Sequence, residues 1–244
     1  MSTTQSIPID AKSVRTDEDI REAVALWNSD PVAAEEKYGH ISKWDVSNVT
    51  KMAYLFEHAS SFNEDISNWD VSNVKDMSGM FSYATMFNQP LAEWNVGNVT
   101  SMHSMFVGAE SFNKDISNWD VSKVKYMTGM FCYATSFNQP IGNWNTHNVI
   151  FMGNMFFEAK AFNQPIGEWD VSNVTTMASM FSNTEAFNQP IGSWDVSNVT
   201  DMGFMFYEAA AFNQPIGSWN VSMETNVAGT FIDCPIKDEN KPSF

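Results

Sequence analysis

FNEDISNWDVSNVKDMSGMFSYA (Phe62–Ala84) returns fifty residues later as FNKDISNWDVSKVKYMTGMFCYA (Phe112–Ala134). The same pattern runs outward from both with a period of 25 residues. Tryptophan marks it at Trp44, Trp69, Trp94, Trp119, Trp144, Trp169, Trp194 and Trp219. A fixed period in this range is the mark of stacked repeats. Each unit is one coil, and function is sought where coils differ, since their shared positions build the core.

Counting from each Trp as position zero, Val recurs at two and five and Met at eight. Position eleven is Leu55 and then Met, twelve is Phe, fifteen is Ala except at Thr184, eighteen is Phe and twenty-two is Ile or Leu. Positions five, eight, eleven, twelve and fifteen are spaced like one face of a helix. Thr50, Thr100, Thr175 and Thr200 at position six suit a helix start. The expectation is a helix over about positions six to fifteen, then a turn and a short strand around the Ile or Leu. Pro at twenty-one places the strand start at or after it. The expected fold is therefore an α/β repeat solenoid, with one short parallel strand plus one short helix per 25-residue coil. Between Phe and Trp two turn chemistries occur. Asp65-Ile66-Ser67 and Asp115-Ile116-Ser117 offer a carboxylate to local backbone, whereas Pro140-Ile141-Gly142 and its later copies offer a preset φ and a glycine able to take φ > 0.

Residues 1–43 read as an N-terminal helical cap, 44–218 as seven repeats and 219–244 as a closing coil and tail. Thr16 or Asp17 is the expected cap of a helix through Ile20, Ala23, Val24 and Trp27, and Asp30-Pro31 opens a second that ends at Gly39. Lys237 to Phe244 reads as a frayed tail.

The formal net charge is -16, from 13 Lys and Arg against 29 Asp and Glu. That balance disfavours bare nucleic acid and anionic membranes, which need basic patches. No apolar run is long enough to span a membrane. Met1 to Asp10 lacks the features of a secretory signal, so the chain as written reads as cytoplasmic. Cys132 and Cys234 stand four coils apart, about 19 Å at about 4.8 Å per coil, so two free thiols are expected.

The histidines His40, His58, His103 and His147 share no coil position and no paired ligand spacing. No catalytic constellation is evident, so the reading is of no enzyme, no metal and no cofactor. Asn63, Asn88, Asn113, Asn138, Asn163, Asn188 and Asn213 form an unbroken column, as does the Asp or Asn after each Trp, from Asp45 to Asn220, and the same reading applies to both. Each reads as an amide ladder that satisfies turn backbone, with a row of metal or ligand contacts as the alternative. Positions seven, ten and fourteen should face solvent, and aromatics there cluster at Tyr126, Tyr133 and Phe151, with Phe157 on the flank. Coil four, with Asp120, Lys123 and Lys125, nets +1, whereas coils one and seven each net -3. An aromatic, nearly neutral zone between acidic flanks is a candidate partner site.

The unit FNxDISNWDVSNVTxMxxMFxxA resembles the short bacterial surface protein repeat, a BspA-like branch of the leucine-rich repeats, over about residues 44–231. Leu26–Thr50 is similar to eukaryotic algal members. The resemblance implies a right-handed, leucine-rich-repeat-like coil, a binding role related to surface adhesion, and a location at the cell surface or outside the cell. The family unit is usually slightly longer than 25 residues. Together these readings point to a monomeric, non-enzymatic scaffold for an unknown protein or glycan. The alternative is a structural or Ca²⁺-dependent assembly element.

Overall fold

The computed structural model describes residues 11–243. The Met1–Asp10 stretch of the cap and Phe244 of the tail lie outside it. Two helices pack on the first coil. α1 (Ile20–Ser29) buries Ile20, Ala23, Val24 and Trp27, one stripe at helical spacing, and α2 (Pro31–Tyr38) starts with Asp30 accepting from the Ala33 amide at 3.0 Å. Gly39 ends α2 at φ 76°, and its carbonyl takes the Trp44 indole N–H at 2.8 Å.

The coils keep the 25-residue period but not the expected α/β, strand-plus-helix construction. Among the described residues no strand forms, and α-helix is confined to α1 and α2. Each coil is a chain of tight turns instead. In coil two the amides of Val74, Met80, Ala84 and Phe87 donate to the carbonyls three residues back, at Val71, Met77, Phe81 and Ala84. Apolar residues therefore recur every third position because they are turn corners facing the core. A three-residue spacing serves a train of β-turns as well as it serves a helix.

Two of these turns need φ > 0 at their third residue, which is position ten or fourteen. Every coil meets this requirement, from Tyr54 (60°) and His58 (57°) in coil one to Phe204 (57°) and Glu208 (50°) in coil seven. Left-handed φ breaks any helix at these points. It also turns the amides at eight, ten, twelve and fourteen toward the next coil. Met77 donates to Ser101 at 3.0 Å, Gly79 to His103 at 2.8 Å, Phe81 to Met105 at 2.9 Å and Tyr83 to Val107 at 2.6 Å. Between coils, among the described residues, position seven makes the formal bridges, a parallel column from Lys51 to Asn226, and Val14 of the cap bridges Asp45 in the same sense. Bridges isolated between turns never lengthen into strands.

The interior is a set of ring columns. Phe at twelve lies 5.5–5.9 Å from the Phe of the next coil, nearly parallel, and 3.9–4.1 Å from Phe at eighteen of its own. From Trp69 to Trp219 the indole N–H reaches the carbonyl of the Ile or Leu that precedes the previous repeat Trp, as Trp94 does to Ile66 at 3.2 Å. That carbonyl also closes a turn with the Trp69 amide at 3.0 Å. Departures from the columns bring their own partners: Thr146 Oγ1 donates to Asp170 O and Thr184 Oγ1 to Phe181 O.

Proline-turn glycines serve a different purpose from the expected one. Gly142, Gly167 and Gly192 do not have positive φ. They lie under the proline carbonyl of the next coil, where a Cβ would stand 2.5 Å from that oxygen at Gly167 and Gly192 and closer at Gly142. The Asp turns form as read, with the Ser67 and Ser117 amides on the Asp65 and Asp115 carboxylates at 2.9 and 2.8 Å.

Both ends are closed by imitation of a neighbouring coil. Asp17 is not the α1 cap, since Asp19 holds that position. Its Oδ1 takes the Thr50 and Lys51 amides at 2.8 and 3.0 Å, and its Oδ2 takes the Thr50 hydroxyl. A preceding coil would accept the position-six amide in the same way, as Lys75 O accepts from Thr100. The opposite end differs from the frayed tail expected. The Lys237 amide and the Asn240 amide group bond Asn213, where the Asn and Gln of a further coil would bond. Burial acts to raise the Asp17 pKa, but the bonds from Thr50 and Lys51 outweigh it and hold the carboxyl below its ordinary value. A lowered carboxyl pKa stabilises above the unfolded value of about 3.9, and that stabilisation fades as pH falls through the folded value. Asp17→Ala should cost about 1 kcal/mol near neutral pH, as loss of a cap does. Its melting-temperature gap to wild type should close between about pH 5 and 2. A gap constant with pH would remove the charge from this account.

Candidate functional site

Because the core columns repeat, chemistry that differs between coils lies on their outer corners. Positions ten and fourteen point out because left-handed corners carry their side chains away from the turn. Position seven points out from the bridged column. The structure brings Tyr126 and Phe151 together as bridged neighbours, with rings stacked at 5.6 Å and 8°. Tyr133 meets Phe157 edge-on at 5.3 Å and 72°, and its amide donates to Phe157 O at 2.8 Å. Among the described residues no ring contact joins the two pairs, so the expected single cluster is two pairs on one side of coils four and five. Tyr126 is 43% exposed and Tyr133 39%, while Phe151 and Phe157 are half-buried.

Coils four and five give something up to hold these rings. At position seven, the side chains of Asp76, Thr176, Asp201 and Asn226 accept the amide two residues on, at 2.9–3.4 Å. Tyr126 and Phe151 cannot accept that bond. Lys51 at the same position lacks the acceptor as well.

The sequence reading missed Tyr54, Tyr83 and Phe204, which are exposed to a similar degree. Each ring covers a glycine at the same position of the next coil, at Gly79, Gly108 and Gly229. A ring over glycine shields backbone that no side chain covers, as aromatic rescue does in sheets. The signal was present in the sequence as an aromatic at position ten or fourteen followed 25 residues later by Gly. Tyr126 and Phe151 have no such glycine, which sets them apart from the structural rings.

The Asn column lies between coils. Asn63 Oδ1 takes the Asn88 amide at 2.9 Å and Gln89 Nε2 at 3.1 Å; the backbone bond recurs in every coil to Asn213, and the glutamine bond in all but coil three, where Lys114 follows Asn113. Its oxygens are occupied by backbone and glutamine, leaving little for a cation. Among the described residues no group of three or more His, Cys, Asp or Glu is placed to hold a metal ion. His147 Nδ1 lies 2.7 Å from Asp170, but the Ser172 hydroxyl bonds Asp170 rather than His147, so the three do not line up as serine, histidine and carboxylate in a relay. The Ser172 hydroxyl first, then His147, draws the Asp170 carboxyl down to about 2. Cys132 and Cys234 are free thiols. Burial, with Glu158 adding to it, pushes the Cys132 thiol up to about 12, away from nucleophile chemistry.

Among the described residues no helix is long and apolar enough to cross a membrane. Three overlapping stretches, residues 31–144, 89–172 and 134–243, match one family model, described as "Mycoplasma protein of unknown function, DUF285". No curated protein and no solved structure matches the chain.

Proposed function

The chain belongs to the DUF285 family, and from that premise we propose that it is a non-enzymatic, monomeric scaffold that binds a protein partner through the outer corners of coils four and five. The observation that carries this reading is the Tyr126–Phe151 pair, an exposed ring stacked on a half-buried one in a column where polar residues bond the turn. A protein is favoured over a glycan because the two rings face each other. They present edges and a hydroxyl rather than open faces on which sugar rings stack. Solvent-exposed aromatics of this kind are frequent anchors in protein interfaces. The likeness to BspA-like surface repeats supports a role at the cell surface.

The test is affinity capture with wild type and a Tyr126→Ser/Phe151→Ser variant of matched stability. The reading expects a partner retained by wild type and lost by the variant. Equal capture of every partner by both would remove coils four and five from the binding face. The alternative, a Ca²⁺-dependent assembly element, expects a melting temperature raised by calcium and lowered by EDTA. The occupied Asn oxygens weigh against it.

A further inference from the structure

Positions six and seven run side by side along the stack and form one continuous ledge from coil one to coil five. Reading along it gives Lys51, then Lys75 beside Asp76, then Thr100 and Ser101, then Lys125 beside Tyr126, then Ile150 beside Phe151. Three of the chain's 13 basic residues thus stand on one ledge of a protein with net charge -16. Arg21 of α1 joins them at the cap end, its guanidinium held by Ala53 O at 2.8 Å. Arg21, Thr50, Lys51, Ala53, Lys75 and Asp76 line an open cleft of about 500 Å³ there. Among the described residues none of Arg21, Lys51, Lys75 and Lys125 is in an ion pair, although acids outnumber bases more than two to one.

The acids nearest the ledge are already engaged. Asp17 is taken by the Thr50 and Lys51 amides, Glu18 by Thr16, and Asp76 by the Ser78 amide. The ledge offers cations outside any close ion pair, Lys75 and Lys125, with Lys51 drawn through space to Asp17 and Glu18 at the cap end, and an apolar step, Tyr126, Ile150 and Phe151, at the other. From coil one to coil five it spans about 19 Å, the length of about six extended residues.

We propose that this ledge is the docking face for an extended acidic peptide segment, with its carboxylates along Lys51, Lys75 and Lys125 and an apolar anchor against Tyr126 and Phe151. The inference rests on the scaffold reading and names the chemistry of its partner. Charge complementarity selects the segment, since the remaining acidic surface repels it elsewhere and the ledge steers it in. The aromatic step supplies the contact that salt does not screen.

The test is selection of a short random peptide library against the full chain, followed by titration of the enriched peptides. Enriched sequences should pair Asp or Glu with one large apolar residue. Lys75→Gln/Lys125→Gln should weaken them about tenfold, and raising salt from about 50 to 300 mM should weaken them likewise. Tyr126→Ser should weaken them with little change in salt dependence. Enrichment of basic or uncharged peptides, no enrichment, or affinity unmoved by the double lysine variant would overturn the proposal, as would preference for a sulfated glycan over every peptide. Loss of the acidic-peptide result while captured partners still depend on Tyr126 and Phe151 would sink this inference alone and leave the scaffold reading standing.

Discussion

Phe131→Ala is expected to remove about 3–5 kcal/mol of stability, the range for emptying a fully buried aromatic site. The ring is stacked between Phe106 at 5.7 Å and Phe156 at 5.8 Å, with Phe137 at 3.9 Å and Trp144 at 6.4 Å. No movement of one coil can fill the gap, because every neighbour is held by its own column. Stability in such a stack is a sum of coil and interface terms, so a central loss weakens two interfaces at once. Phe231→Ala should cost less than half as much, since this ring of the final coil, 5.9 Å from Phe206, is only partly buried. Urea midpoints of the two variants check this. Equal losses, or a central loss below about 1 kcal/mol, would mean that the ring columns do not hold the stack.

Gly142→Ala should cost about 1–3 kcal/mol, the usual range for forcing an extra carbon into a packed site. Its Cβ would run into the Pro165 carbonyl oxygen, which is backbone and fixed by its own turn. The molecule contains the remedy. Ser67 and Ser117 carry a Cβ at the same position and precede coils with Pro90 and Pro140, because the Asp65 and Asp115 carboxylates recruit their amides into a different turn. Pro140→Asp combined with Gly142→Ser should therefore recover most of the loss. A harmless Gly142→Ala, or a double variant worse than the single one, would refute the equivalence of the two turns.

These cases also show how far the chain is legible from its sequence. The period, the core columns and the stacking direction follow from residues alone, because identical side chains 25 apart must meet their own kind. The adjacency of Tyr126 and Phe151 follows too, since both stand at position seven. The helix did not follow. Val74, Met77, Met80, Phe81 and Ala84 have helical spacing, but the same spacing marks corners of successive β-turns. What separates the two is a left-handed residue at ten and fourteen. Gly79, Gly108, Gly129, Gly229, Asn154 and Asn183 stand at those positions, but Tyr54, Ser104, Tyr133 and Phe204 stand there too, so the glycine and asparagine signal is broken from coil to coil. Stacking hydrogen bonds on both sides hold these side chains in a conformation that local preference disfavours. The covering role of Tyr54, Tyr83 and Phe204 was hidden for the same reason, as their glycines read as loop residues until the coils were stacked.

The cap shows a similar limit. Asp17 sits where a helix cap is expected, and its acidic neighbours support that reading. Its true partners, Thr50 and Lys51, lie across the cap–coil junction. A contact of that kind is set by tertiary packing and leaves no local signal.

Each coil is a train of turns joined to the next through alternate amides, with no helix. Backbone carbon chemical shifts over positions six to fifteen of the middle coils test it most directly. Left-handed shifts are expected at positions ten and fourteen of every coil, Gly129 and Tyr133 among them, with slow amide exchange at eight, ten, twelve and fourteen. An unbroken run of right-handed helical shifts across Lys125–Ala134 would contradict it.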